Sequence, residues 1–95
     1  MRIKIMPEYG CSPVWLVGEG PSENVPVDAL NVPDSIRESL AAWDATFQVT
    51  LDPEYPPDSG FDCEERRESY FAEGRRLVAE LARHVGDVRY VPPRV

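Results

Sequence analysis

The chain has 95 residues, 42% of them apolar and 28% charged, with 17 acids against 10 bases and a net charge of −7. This length predicts one globular domain over residues 1–95 with one modest core, and no apolar run approaches the ~20 residues of a membrane-spanning helix. The absence of a basic-then-apolar leader predicts a cytoplasmic protein; two cysteines and one histidine are too few for a disulfide scaffold or a histidine-rich metal centre, and the negative charge argues against nonspecific binding to nucleic acid or anionic membrane.

Arg2-Ile3-Lys4-Ile5-Met6 alternates charged and β-branched residues, the period-2 pattern of a half-buried strand with Ile3 and Ile5 facing the core. Pro7 stops it, Tyr9-Gly10-Cys11-Ser12-Pro13 reads as a turn, and Val14-Trp15-Leu16-Val17 predicts a second strand in a hairpin with the first. Residues 19–33, with prolines at 21, 26 and 33, read as a surface connection containing extended pieces, anchored by Val25, Val27 and Leu30. Ser35 and Glu38 then have capping-box spacing, and Ile36, Leu40, Trp43 and Phe47 form one apolar stripe of a helix that fades near Val49–Leu51. Four prolines and glycines (Pro53, Pro56, Pro57, Gly60) make residues 52–61 a loop. An Asp62 cap opens a second helix running to Val85, with Phe71, Gly74, Val78, Leu81 and Val85 on its core stripe and Tyr70 and Leu77 beside it. Glu64 and Glu65 at its start and Arg83 and His84 at its end complement the helix dipole, and Gly86 terminates it. Asp87–Val91 alternates again as a last strand before Pro92-Pro93. The order β-β-α-α-β predicts an α+β two-layer sandwich, a small antiparallel or mixed sheet covered on one face by two helices.

Charge is unevenly placed. Residues 5–65 hold thirteen acids and one base, Arg37, whereas residues 66–95 hold seven arginines and four acids. Nine of the ten bases are arginine, a bias that fits a GC-rich bacterial genome. The arginines at 66, 67, 75, 76 and 83 interleave with Glu68, Glu73 and Glu80, which predicts intrahelical ion pairs rather than a nucleic-acid stripe.

Catalytic and metal constellations are thin. Cys11 and His84 form a nucleophile–base pair in principle, but His84 is already explained as a C-terminal helix cation. Cys11 reads as a small buried turn residue and Cys63 as an inert residue at a helix start, flanked by two acids. The acids from Asp52 to Glu65 fail the EF-hand pattern, since Pro57 or Ser69 stands where glycine or glutamate is required. No metal or cofactor is expected. Tyr9, Tyr55 and Phe61 are large side chains in loops, and two roles are open to them: lids over the core, or an apolar centre within an acidic rim.

The turn Pro7-Glu8-Tyr9-Gly10-Cys11-Ser12-Pro13 with Trp15, the Trp43-Asp44 pair on the first helix and Asp58-Ser59-Gly60-Phe61 together resemble a group of small, mainly actinobacterial proteins. Those proteins carry a Tyr-Gly-Cys-Ser-Pro turn before a Trp and a Ser-Gly-Phe loop before the last helix. The resemblance brings no catalytic residues; it implies a binding surface shared by the turn and the Ser-Gly-Phe loop.

The reading that follows is a small, acidic, non-catalytic binding protein of the immunity-protein type, engaging a basic protein such as a nuclease toxin through its acidic face. Asp44, Asp52, Glu54, Tyr55, Asp58 and Phe61 are the expected contact residues. The alternative is a ligand-binding or catalytic pocket between Cys11-Ser12, Trp15 and Ser59–Phe61. Dimerisation through a strand edge is opposed by Pro7, Pro92 and Pro93.

Overall fold

The computed structural model describes residues 2–94. Four strands, β1 (Arg2–Ile5), β2 (Val14–Leu16), β3 (Glu23–Val25) and β4 (Asp87–Tyr90), form one mixed sheet in the order β3-β2-β1-β4. Two helices, α1 (Asp34–Gln48) and α2 (Glu64–Val85), complete an α+β fold. β1 pairs antiparallel with β2, Lys4 opposite Trp15, and parallel with β4, Lys4 opposite Arg89. Alternation then sorts the side chains. Ile3, Ile5 and Val14 are fully buried under the helices, with Leu16, Val25, Val88 and Tyr90 packed around them. Arg2, Lys4, Trp15, Asn24, Asp87 and Arg89 share the opposite face by register.

The connection expected at 19–33 contains a strand that its sequence conceals. β3 has three residues, Glu-Asn-Val, with no apolar alternation. It is held to β2 by ladder pairing and by the Asn24 amide, which donates to the carbonyls of Ser12 (2.7 Å) and Val14 (3.0 Å) and accepts from Ser12 N–H (3.2 Å). The topology is therefore β-β-β-α-α-β rather than β-β-α-α-β.

Both expected helix caps are also corrected. α1 begins at Asp34 with Pro33 as N-cap, and no side chain caps it; Ser35 lies inside the first turn, so the Ser35–Glu38 box does not form. The Pro33 carbonyl accepts from the Ile36 and Arg37 amides instead. Arg37 closes the entry, donating to the carbonyls of Leu30 (2.9 Å) and Val32 (2.6 Å) while pairing with Asp34. At α2 the N-cap is Cys63, without a side-chain bond, and Asp62 instead receives the Arg66 guanidinium at 3.1 Å.

Ile36, Leu40, Trp43 and Phe47 are all buried, as the periodicity predicts. On α2 the buried stripe is Tyr70, Gly74, Leu77 and Leu81, turned from the expected one so that Phe71, Val78 and Val85 are only partly covered. The helix meets both α1 and β4, so its buried face points between two neighbours. Arg67 lies over the Phe71 ring at 4.9 Å.

Where the helices meet, the Trp43 ring stacks on Tyr70 (centroids 4.8 Å apart), meets Tyr90 edge-on at 6.1 Å, and donates its indole N–H to the Tyr70 carbonyl at 2.8 Å. Gly74 permits this approach. A Cβ there would lie 2.6 Å from Trp43 Cζ2 and 2.6 Å from the Tyr90 hydroxyl. Gly86 has φ +84°, a backbone state that favours glycine, and it turns the chain from α2 into β4.

Gly74→Ala is expected to lower stability by about 1–2 kcal/mol, because two 2.6 Å contacts put overpacking at about 2–3 kcal/mol, against the ~1 kcal/mol that alanine gains in helix propensity. Tyr90→Phe in that background restores part of the loss by withdrawing one clashing atom. Urea denaturation reads both, and a Gly74→Ala protein as stable as its parent would contradict the close-approach account. Arg37→Lys keeps the charge but cannot span both carbonyls and Asp34, so a loss of about 1–2 kcal/mol is expected; an unchanged thermal midpoint would show that the fork contributes nothing.

Candidate functional site

Residues 49–62 form an arch stiffened by its own hydrogen bonds. The Asp52 carboxylate accepts the amides of Glu54 (3.0 Å) and Tyr55 (3.2 Å), and the Asp52 amide donates to Ser59 Oγ (2.8 Å). Pro56–Asp58 is a single 3-10 turn, and Gly60 N–H donates to the Thr50 carbonyl at 3.1 Å. Pro53, Pro56 and Pro57 reduce the freedom this segment loses when it is held in place. Exposed side chains are therefore displayed on an ordered frame.

What the arch displays is unusual for this molecule. Val49 (80% exposed), Leu51 (38%) and Tyr55 (58%) are the large hydrophobic side chains left exposed among the described residues, and all fall within seven positions. Scattered surface apolar residues need no explanation, but a cluster does. The carboxylates of Asp52, Glu54 and Asp58 alternate with them, and none has a cation within 4.0 Å among the described residues.

Beside the arch, a groove of about 960 Å³ runs between α1 and the first half of α2. Ser39, Ala42, Thr46 and Val49 line it from the α1 side, Glu65, Ser69 and Glu73 from the α2 side. Trp43, Phe61 and Tyr70 reach it from the core, and Asp62 with its partner Arg66 closes one end. Phe61 packs on Tyr70 with centroids 4.9 Å apart, and Tyr9 stacks on Phe47 at 4.3 Å. Tyr9 and Phe61 thus act as lids on the core, and Tyr55 alone of the three loop aromatics stands free of it.

With this geometry in place, the sequence as a whole is informative. Residues 1–92 match the family described as Serratia CdiI immunity protein-like. The chain belongs to that family. No curated protein matches it.

The remaining expected site residues of this immunity protein-like chain are dispersed. Asp44 lies on the opposite flank of α1 from Ala42 and Thr46, two residues from each on a 3.6-residue turn. There Gln48 approaches both carboxylate oxygens at 3.4 Å, while its amide also accepts from Gly10 N–H (3.1 Å) and donates to the carbonyls of Glu8 (3.0 Å) and Cys11 (3.3 Å). Gln48 therefore docks the Tyr-Gly-Cys-Ser turn onto α1. Thr50 ties that turn to the Ser-Gly-Phe loop: its hydroxyl lies 2.5 Å from the Tyr9 hydroxyl, and its carbonyl accepts from Gly60. The two motifs are brought together, but as a structural joint.

Cys11 and Trp15 do not line the groove that Gly60 and Phe61 share. Trp15 lies on the far face of the sheet, its indole N–H donating to the Met6 carbonyl at 2.9 Å and its ring under Lys4 Nζ at 5.7 Å. His84 is exposed in the last turn of α2. Cys63 is exposed and Cys11 partly covered. Among the described residues, no three His, Cys, Asp or Glu side chains gather to hold a metal ion, and no helix is long and apolar enough to cross a membrane.

Three arginines of α2 pair locally: Arg76 with Glu73, one of the interleaved acids, and Arg67 with Glu64 inside the helix, whereas Arg66 pairs with Asp62 in its lead-in. Val49 and Leu51 are the site residues that the sequence reading missed. Their signal was available: two apolar residues beyond the end of the core stripe, with no helical turn left to bury them.

Burial raises the Asp44 carboxyl above its ordinary 3.8, against a smaller lowering by Gln48. The folded chain therefore binds this proton more tightly than the unfolded one. Stability from that difference is present below 3.8 and is lost as pH rises through the raised value. Asp44→Asn removes the dependence, so its stability relative to the parent should increase as pH climbs above 3.8 and then level off. Urea midpoints from acid to neutral pH check this, and a difference that does not change with pH would refute it.

Proposed function

We propose that the chain is a non-catalytic immunity protein that binds a basic toxin through the acidic face centred on the 49–62 arch. The observation that carries this reading is the coincidence, in a member of an immunity protein-like family, of the clustered exposed apolar side chains with unpaired carboxylates. Apolar anchors at the centre and charges around them are the anatomy of a protein interface: the anchors hold the partner, and the rim steers it.

Asp52, Glu54, Tyr55, Asp58 and Phe61 are the contact residues in this reading, joined by Val49 and Leu51. Asp44, across α1, adds to the long-range field that draws a cationic partner in. A nuclease fits the chemistry, because its nucleic-acid cleft must be cationic, and carboxylates seated there would both attract and occlude it. The preformed arch keeps the ordering cost of association low.

Tagged protein drawn from its native lysate at low and high salt, with mass spectrometry, identifies the partner. The reading expects a stoichiometric basic protein that salt releases and whose toxicity co-expression of this chain suppresses. Against that partner, D52N/E54Q/D58N should slow association about tenfold or more at low ionic strength and flatten its salt dependence, with dissociation changed less. The substitutions keep the side-chain oxygen that Asp52 uses to hold the arch. Equal association rates and equal salt slopes for variant and parent would overturn the acidic-face reading.

A further inference from the structure

The groove shares with the arch its two ends, Val49-Thr50 and Gly60–Asp62, and is otherwise walled by α1 and α2; those walls say what can occupy it. Along α1 it is lined by residues 39, 42, 46 and 49, one helical stripe about 15 Å long at 1.5 Å per residue. The walls facing into it are short, with Ser39, Ala42 and Thr46 on one side and Ser69 on the other, so the backbone of an incoming segment can come close. Trp43, Phe61 and Tyr70 supply apolar surface from below. The acids Asp62, Glu65 and Glu73 line it against a single cation, Arg66, and Glu65 has no ion-pair partner among the described residues.

We infer that this groove receives an amphipathic basic helix of the partner, its apolar stripe against Trp43, Phe61 and Tyr70 and its lysines or arginines toward Glu65 and Glu73. Length, apolar floor and charge all point to that occupant. A groove about three turns long matches a helix presenting residues i, i+3/i+4 and i+7. Among the described residues, a cation on that helix finds Glu65 without an ion-pair partner and Glu73 held by an exposed bridge to Arg76. An acidic helix would meet a net negative wall. The inference rests on the binding reading above and names the element of the partner that is grasped.

The probe is a synthetic helical peptide of leucine and lysine about four turns long, with leucines at i, i+3, i+4 and i+7. Its controls are a scrambled peptide of equal charge and a version with glutamate in place of lysine. The intact protein is titrated with each by calorimetry, and chemical-shift changes in amide NMR spectra locate the site. The Leu/Lys helix should bind about tenfold or more tightly than either control, with shifts on both groove walls. Ala42→Arg and Ser69→Arg, at exposed helical positions, plug the groove from opposite sides and add repulsion. Each should weaken the Leu/Lys peptide by about tenfold or more while circular dichroism and urea midpoints stay near those of the parent.

Equal binding of the scrambled peptide, binding that survives both plugs in folded protein, or shifts confined to residues 51–59 of the arch would overturn the inference, as would no binding at all. Its failure is distinct from failure of the proposed function. The D52N/E54Q/D58N variant leaves the groove intact and is read on the toxin partner, whereas the plugged variants leave the arch acids in place and are read on the peptide.

Discussion

The structure depends on how closely α1 and α2 approach at Trp43 and Gly74. Trp43 is the largest side chain in the core, and its ring needs a neighbour without a Cβ to lie flat against Tyr70 while its edge meets Tyr90. Its indole N–H also takes up the Tyr70 carbonyl, so the contact is oriented as well as packed. The groove and one end of the arch are built on this junction. It holds the helices together on the core side, and the groove lies over it. The same rings that pack the core reach the groove floor, and Phe61 is drawn down onto Tyr70, which fixes the end of the arch. The close fit leaves the hydroxyls of Tyr70 and Tyr90 buried without a hydrogen-bond partner among the described residues, and burial pushes the Tyr90 phenol up to about 12 and the Tyr70 phenol higher still.

Electrostatics is divided by location. Arg37, the one base among thirteen acids over residues 5–65, lies against the chain lead-in to α1, where its guanidinium satisfies two carbonyls and Asp34. It is therefore occupied in holding the fold and leaves the negative field of the arch uncompensated. The arginines of α2 that pair do so with acids of their own helix or its lead-in, in exposed bridges that neutralise one another locally. The net result is an acidic loop surface whose carboxylates at 52, 54 and 58 have no ion-pair partner among the described residues, beside exposed apolar side chains.

Much of the fold was legible in the sequence because it is written in local periodicity. Ile3 and Ile5 alternate, Ile36, Leu40, Trp43 and Phe47 recur at helical spacing, and each set is buried. β3 was hidden because Glu-Asn-Val carries no such pattern; its place is set by the Asn24 amide reaching Ser12 and Val14, ten or more residues back. The caps were misread because Ser35 and Asp62 have the right chemistry two residues and one residue, respectively, from the right place. Pro33 occupies the first N-cap, and Arg66 claims the Asp62 carboxylate. Of the candidate site, Tyr55 and the loop acids could be named from composition alone, since prolines and glycine mark an exposed loop. Asp44 could not be separated from them by sequence, although a helix turn sends it to the other flank.

The sequence by itself determined the secondary elements with clear periodicity, the α+β class, the segregation of acid from base and the loop at residues 52–61, because each depends on near neighbours in the chain. The tertiary structure decided the parallel pairing of β4 with β1, the turn of the α2 stripe toward Tyr70 and Leu77, the separation of Trp15 from the Ser-Gly-Phe loop and the existence of the groove. Those features rest on contacts between residues far apart along the chain. The approach of Trp43 to Gly74 across the helix interface is one such contact, a meeting that no local pattern records.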